Sequence, residues 1–361
     1  MTHPLLTRSD QFFKSLKPSD KIALLHDTDP DGTTSGKIIT QALHQLGHTI
    51  HLNLIITNKG HTVNDDIIAV LKENSITILI TTDKTVDGGP EQIKKVEEFA
   101  KVYAFDHHII EHNITSPKTI LLKPQLIDSS IPPAQYCSAK LSYDILNRIT
   151  NLDNVDWVAA IGIIGDVAYP AWEDFLHTVY EKYSLPIESH QKTILGTISN
   201  LIFFAEALGE AEQCFDIMLN SQNPFDALKQ LKQYEIVQQE VDYYVANVHN
   251  LAQIHEEQKL IILEVKNAAK IKSIVSNNIA ILNPHHTVIV IQQIGSTMTI
   301  SARRNDATLN MNVLLKKALA DLQGNAGGHV PAAGASVGIE DYPQFKSNII
   351  RIINTLQEQA L

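Results

Sequence analysis

Four short stretches carry carboxylates and imidazoles in patterns that suit chemistry. Residues 26–32 read HDTDPDG, 81–85 TTDKT, 105–112 FDHHIIEH and 162–169 GIIGDVAY. Asp27, Asp29 and Asp31 alternate, so an extended loop would turn all three to one side. Three carboxylates that close repel one another unless cations sit among them. Thr34 or Ser35 is then a plausible N-cap for a following helix, whose bare N-terminus suits an anion. The loop is not an EF-hand, because the twelfth position from Asp27 is Ile38 rather than Glu. Asp83 follows one apolar run, and Asp106, His107 and His108 follow another. Asp166 ends an apolar helical stretch, where a buried carboxylate has to be paired or bound. Oxygen and imidazole ligands without thiolate suit a pair of divalent ions, manganese before zinc, with magnesium or cobalt as substitutes. Two ions about 3.5–4 Å apart can hold a bridging hydroxide and a phosphoryl oxygen.

The elements that must position these groups are legible as alternation. The runs 21–26, 49–56, 76–82 and 102–105 are short, β-branched and apolar. Stretches at 35–47, 63–75 and 90–101 have helical spacing. Buried strands alternating with helices predict an α/β fold, a doubly wound, mostly parallel sheet. Its ligand crevice lies at the carboxyl ends of the strands, where the first three stretches fall, and the fourth ends a helix. The strand signal disappears over 136–250. Residues 225–253, long, polar and free of Gly and Pro, predict a connector helix. Strands return at 260–265, 287–294 and 297–304, with helices at 310–321 and 343–357. The expected division is a first domain over 1–172, a helical connector over 173–255 and a smaller α/β domain over 256–361, with the active site in the cleft between the two domains.

Composition bounds the function. The 361 residues carry a formal net charge of -11 and are 44% hydrophobic, an ordinary globular balance. A protein that coats nucleic acid through many phosphate contacts is excluded; a short anionic substrate is not. The two cysteines, Cys137 and Cys214, lie too far apart for a CxxC zinc site. No apolar run approaches ~18 residues, so neither a membrane span nor a membrane partner is expected, and the location expected is cytoplasmic.

DTDPDG, Asp83 in TTDKT, DHH at 106–108 and Asp166 in GIIGDVAY, followed by SARR at 301–304 and GGHVPAAG at 327–334, resemble the DHH phosphoesterase superfamily with its C-terminal GGH-motif domain. The resemblance runs from about 20 to 340 in the family's order. It implies that Asp29 and Asp31 ligate different metals, that Asp83 bridges them, and that His107 and Asp166 complete the second metal's shell. It makes His108 the group facing the substrate phosphate and Asp106 the residue that orients the imidazoles. Asp27, or less readily His26, is the candidate third ligand of the first metal. Arg303 or Arg304, with Gly327, Gly328 and His329, would grip a neighbouring phosphate.

The stretch around Asp166 resembles RecJ-type and archaeal RecJ-like enzymes, and the chain as a whole resembles the RecJ-like or nanoRNase-type exonuclease branch. That implies an exonuclease using two Mn2+ to release nucleoside 5′-monophosphates from short single-stranded RNA or DNA. The chain is too short for an added oligonucleotide-binding barrel, and it shows no basic, aromatic-studded platform for long strands. Cyclic- or linear-dinucleotide phosphodiesterase and 3′-phosphoadenosine phosphatase stand as alternatives. Polyphosphatase and a non-catalytic replication-fork subunit rank lower, and a homodimer is left open.

Overall fold

A computed structural model describes residues 3–56, 63–128, 130–266, 269–328 and 330–358. The chain divides into two compact units, Met1–Gln233 and Tyr234–Leu361.

The first unit opens with helix α1 (Pro4–Lys14), absent from the sequence reading. It is followed by β1 (Ile22–His26), α2 (Pro30–Gln45), β2 (Ile50–Ile55), α3 (Asp65–Glu73), β3 (Ile78–Thr82), α4 (Pro90–Glu97), β4 (Lys101–Phe105) and β5 (Thr119–Leu122). The five strands form one parallel sheet in the order β2-β1-β3-β4-β5. β5 is likewise absent from the sequence reading, although TILL is as apolar as its neighbours. Alternate side chains face opposite sides. Ala23, Leu25, Leu79, Val102 and Leu121 pack with Ile68, Leu71, Ile93 and Val96 of α3 and α4. On the other face Tyr103 and Phe105 meet Phe13 of α1, with ring centroids 4.8 and 6.2 Å away. Such aromatic pairs add about 0.5–1.5 kcal/mol each beyond burial, which is why a short N-terminal helix can close the sheet.

The helix after β1 starts five residues earlier than the sequence suggested. Asp29, not Thr34 or Ser35, is the N-cap: its carboxylate accepts from Gly32 N–H at 2.9 Å, and Pro30 occupies the first helical position. The extended loop with three carboxylates on one side therefore does not form, and Asp31 lies inside the first turn of α2.

Beyond the one-turn helix α5 (Pro124–Ile127) come α6 (Ser138–Leu146), α7 (Asp156–Gly165), α8 (Glu173–Lys182), α9 (Ile194–Leu208), α10 (Ala211–Asn220) and α11 (Pro224–Leu231). α6 and α7 pack on α2, and α9 packs on α7. Gly162 permits this close approach: a Cβ there would lie 2.4 Å from Ala139 Cβ and 3.0 Å from Asp31 Oδ1.

The single helix expected over 225–253 is broken. α11 passes through a 3-10 turn at Lys232–Glu235 into α12 (Ile236–Ala246), α13 (Val248–Leu251) and the strand β6 (Gln253–His255). The second unit continues with β7 (Leu260–Val265), α14 (Lys272–Leu282), β8 (Thr287–Ile294), β9 (Thr297–Arg303), α15 (Met311–Ala318), β10 (Gly324–Gly328), β11 (Ala332–Gly338) and α16 (Tyr342–Glu358). Its six strands run β10-β11-β9-β8-β7-β6, antiparallel except for the β7–β8 pair. Leu260, Ile262, Ile289, Ile300, Leu314, Leu315, Phe345 and Ile349 form its core. Among the described residues no helix is long and apolar enough to cross a membrane.

Candidate active site

Strand order reverses between β1 and β3, the point where open parallel sheets expose a crevice at the strand ends. Asp27 and Asp29 follow β1, Asp83 follows β3, and Asp106, His107 and His108 follow β4. Asp166 caps the C-terminus of α7. The backbone here is forced: Asp83 has φ +57° and the β-branched Val167 φ +56°, both in the left-handed region. Such conformations cost about 1–3 kcal/mol and persist where the surroundings over-determine them.

The centre is the imidazole of His107. Its Nε2 lies 3.3 Å from Asp166 Oδ2, 3.5 Å from Asp83 Oδ1 and 4.0 Å from Asp31 Oδ2. Ligand atoms of Asp31, His107 and Asp166 converge in one cluster, and those of Asp83, His107 and His108 in another. Asp31 is held from behind by the first turn of α6, accepting from Ser138 N–H at 2.7 Å and Ala139 N–H at 2.8 Å. The resemblance put His108 beside the second metal and facing the substrate phosphate; a nitrogen of its ring lies within 4.8 Å of ligand atoms of Asp83 and His107.

Burial and mutual repulsion raise the carboxyls of Asp29 and Asp31 well above the ordinary range. Burial likewise pushes Asp166 up to about 6. Burial disfavours charge on His107, but its hydrogen bond to Asp83 and the charges of Asp31, Asp83 and Asp166 outweigh it and keep the ring cationic well above its usual range. The imidazolium in turn holds Asp83 below the usual carboxylate range against its own burial. The cluster is short of positive charge, and without cations it takes up protons. Carboxylate oxygens and imidazole nitrogens fit hard or borderline divalent ions. Cys137, buried beside Asp31, is not a competing ligand, since burial and the carboxylates of Asp31 and Asp166 keep its thiol protonated.

Asp27 and Asp29 belong to neither cluster among the described residues. Asp27 is ion-paired at 2.6 Å with Lys84, whose side chain is buried. His26 packs against α2 and α10, its ring 4.3 Å from that of Phe215, and its Nδ1 lies 2.7 Å from the carbonyl of Asp27.

Asp106 is the orienting residue at His108: Oδ1 lies 2.7 Å from Nδ1 of the ring. Its Oδ2 meets the ammonium of Lys123 at 2.9 Å, and Lys123 meets Asp87 at 2.9 Å, all three side chains being fully buried. Burial opposes the charge on Asp106, but His108 and Lys123 draw its carboxyl down to about 2. Sequence reasoning missed Lys84, Asp87 and Lys123. The signal available was position, since Lys123 directly follows β5 at the same edge of the sheet.

In the second unit the basic pair separates. Arg304 is engaged by Asp306 at 2.7 Å, whereas Arg303, half-buried at the end of β9, has no acidic partner among the described residues. Gly327 and Gly328 lie in β10, opposite Gly334 and Ala333. Gly328 has φ +139°, and a Cβ there would sit 2.5 Å from Ala333 Cα, so glycine is required. His329 lies outside the described residues.

Comparison with known proteins bears on the fold. Residues 257–355 match the DHHA1 domain family. No curated protein matches the chain in sequence. The exonuclease RecJ bound to manganese superposes with TM-score 0.76 at 20% identity, over 98% of this chain and 95% of that one. RecJ from Thermus thermophilus in complex with Mn2+ gives TM-score 0.72 at 19% identity, over 98% of this chain and 55% of that one. The DHH domain of a protein assigned to a family of ribosomal proteins gives 0.71 at 14%, covering 97% and 90%. At these identities the likeness is one of fold. The GGH stretch thus falls within the part of the chain that matches a DHHA1 domain, the DHH stretch directly follows the fourth strand of the first sheet, and the chain has a RecJ-like fold.

Proposed function

We propose that the protein is a metal-dependent phosphodiesterase that releases nucleoside 5′-monophosphates from short single-stranded nucleic acid. The observation that carries this reading is the convergence of Asp31, Asp83 and Asp166 on Nε2 of His107 at the strand ends. These residues, with Asp29 beside them, would hold two divalent ions. Manganese is the first choice and magnesium the second, the ions bound in the RecJ structures. Such ions polarise a phosphoryl oxygen and lower the pKa of a bound water.

The chain's own residues do the positioning. Asp106, anchored by Lys123, fixes His108 through Nδ1 and leaves Nε2 as the nitrogen for the substrate. The hydrogen bond to Asp106 raises the imidazole above its ordinary range, so it presents an N–H to the charge developing on the phosphoryl group. Asp31, pinned by α6, and Asp83, held at its constrained φ, keep their carboxylates in place without reorganisation. Arg303 is assigned to a neighbouring phosphate, together with His329. A short strand fits a chain of net charge -11 that lacks the surplus to line a long basic track.

The deciding experiment is a digest of end-labelled oligonucleotides of graded length in manganese, with nucleotide and inorganic phosphate measured separately. Stepwise release of 5′-monophosphates, fastest on short strands, is the expected result. Release of inorganic phosphate alone, or no turnover by the metal-loaded protein, would sink it.

A further inference from the structure

The two ion positions implied by the resemblance are unequally built. Asp31, Asp83 and Asp166 converge on Nε2 of His107. The carboxylates that follow β1 are already engaged. Asp27 Oδ1 accepts from Thr28 N–H at 2.7 Å, and its Oδ2 meets the ammonium of Lys84 at 2.6 Å. Asp29 Oδ1 accepts from Gly32 N–H at 2.9 Å. His26, the other candidate for the first ion, turns Nδ1 to the carbonyl of Asp27 and packs its ring on Phe215. What remains for the first ion is the second oxygen of Asp29, together with Asp83.

Lys84 is neither a surface counter-charge nor a grip on substrate, because its side chain is only 3% exposed. A buried ammonium has to be paired. The pair lies at the site itself. Lys84 follows Asp83 directly in the chain, and the charge of Asp27 acts on Asp29 together with those of Asp83 and Asp31.

We infer that Lys84 is a positioning residue whose ammonium fills the cation position at Asp27, so that the free chain holds one divalent ion firmly, at His107, and takes a second only together with substrate. A hard octahedral ion held by one or two carboxylates completes its shell with water and substrate phosphate. Asp29 and Asp83 offer that much and no more, beside a fixed positive charge. The part played by phosphate rests on the phosphodiesterase reading; the count of ions on the free chain does not.

The test counts ions without substrate. Manganese is titrated into the full metal-free chain while the electron paramagnetic resonance of free and bound ion is followed. Wild type should bind one ion firmly and leave a second equivalent largely free. K84M frees Asp27 and removes a like charge, which at such range costs a dication more than about tenfold in affinity. It should bind a second ion at least about tenfold more tightly than wild type, and its bound manganese should show the spectrum of a coupled pair. D27N decides the matter if K84M fails to fold, since the amide oxygen can still accept from Thr28 and Lys84. It should keep the firm ion with unchanged affinity. Two ions bound equally by wild type, no firm ion in wild type, a folded K84M that still binds one, or a firm ion lost in D27N overturns the inference. Failure of the oligonucleotide digest with the ion count as expected would sink the phosphodiesterase reading and leave the role of Lys84 standing.

Discussion

Nε2 of His107 stands 3.3 Å from Oδ2 of Asp166, although one residue follows a strand of the sheet and the other caps α7, which packs on α2 and α6. Without a cation the pair is an imidazolium among carboxylates, in which the ring's positive charge takes the place that a divalent ion would fill.

His107→Ala and Asp83→Ala should therefore abolish manganese binding and lower turnover by at least about 10²–10³-fold, the scale of losing one preorganised electrostatic group. Calorimetric manganese titration and an oligonucleotide assay of each variant check this. Near-normal turnover in Asp83→Ala would show that the cluster is not where metal acts.

Metal-free protein should lose stability as pH rises. A carboxyl raised in the fold, as Asp166 is to about 6, stabilises the fold while protonated. That contribution is complete below the unfolded value near ~4 and lost as pH climbs through the folded one. Asp29 and Asp31 act in the same direction. Asp83 and Asp106 are lowered instead, so their contribution is complete above ~4 and does not change in this window. Thermal scans in EDTA should show Tm falling by on the order of 5 °C between pH 5 and pH 8, and saturating manganese should remove the trend. A Tm in EDTA that is flat or rises contradicts the charge imbalance.

Lys123→Met should be strongly destabilising. It strands the buried carboxylates of Asp106 and Asp87, and breaking such a triad from one side costs about 3–5 kcal/mol. Urea unfolding measures the loss. Adding Asp87→Asn should recover part of it; no recovery would mean that the triad is not the source.

Gly162→Ala tests the approach of α7 to α2. The new methyl would overlap Ala139 Cβ and crowd Asp31 Oδ1. A destabilisation of about 1–3 kcal/mol is expected from overpacking, together with weaker manganese binding because Asp31 is the group displaced. Unchanged metal affinity would separate the packing from the site.

Arg303→Ala should weaken oligonucleotide binding more than Arg304→Ala, because Arg304 is engaged by Asp306. Binding across a salt series, with calcium as the ion, should show the slope of Arg303→Ala shallower by about 0.7, one phosphate contact. Equal effects of the two variants would remove the distinction.

Residue type and local spacing determined a good part of this. Apolar β-branched runs ending in acidic residues read as parallel strands because burial on both faces leaves no polar alternation. Asp83, His107 and Asp166 read as site residues because each ends a different element. DHH and GGH are short motifs whose order survives without any knowledge of contacts. Packing decided the rest. Asp29 became a helix cap because Pro30 could start the helix, a competition between loop and helix settled by the close fit of Gly32 against Asp27. The Asp106–Lys123–Asp87 triad joins the ends of β4 and β5 to the 3-10 turn Val86–Gly88 beyond β3, which no local pattern connects, since a buried charge chooses its partner in space rather than along the chain. The choice between Arg303 and Arg304 depended on Asp306, which becomes the partner of Arg304 only where the chain turns after β9. Motifs are local and legible; charge compensation is three-dimensional, and only the folded chain shows which carboxylates already have a cation and which still lack one.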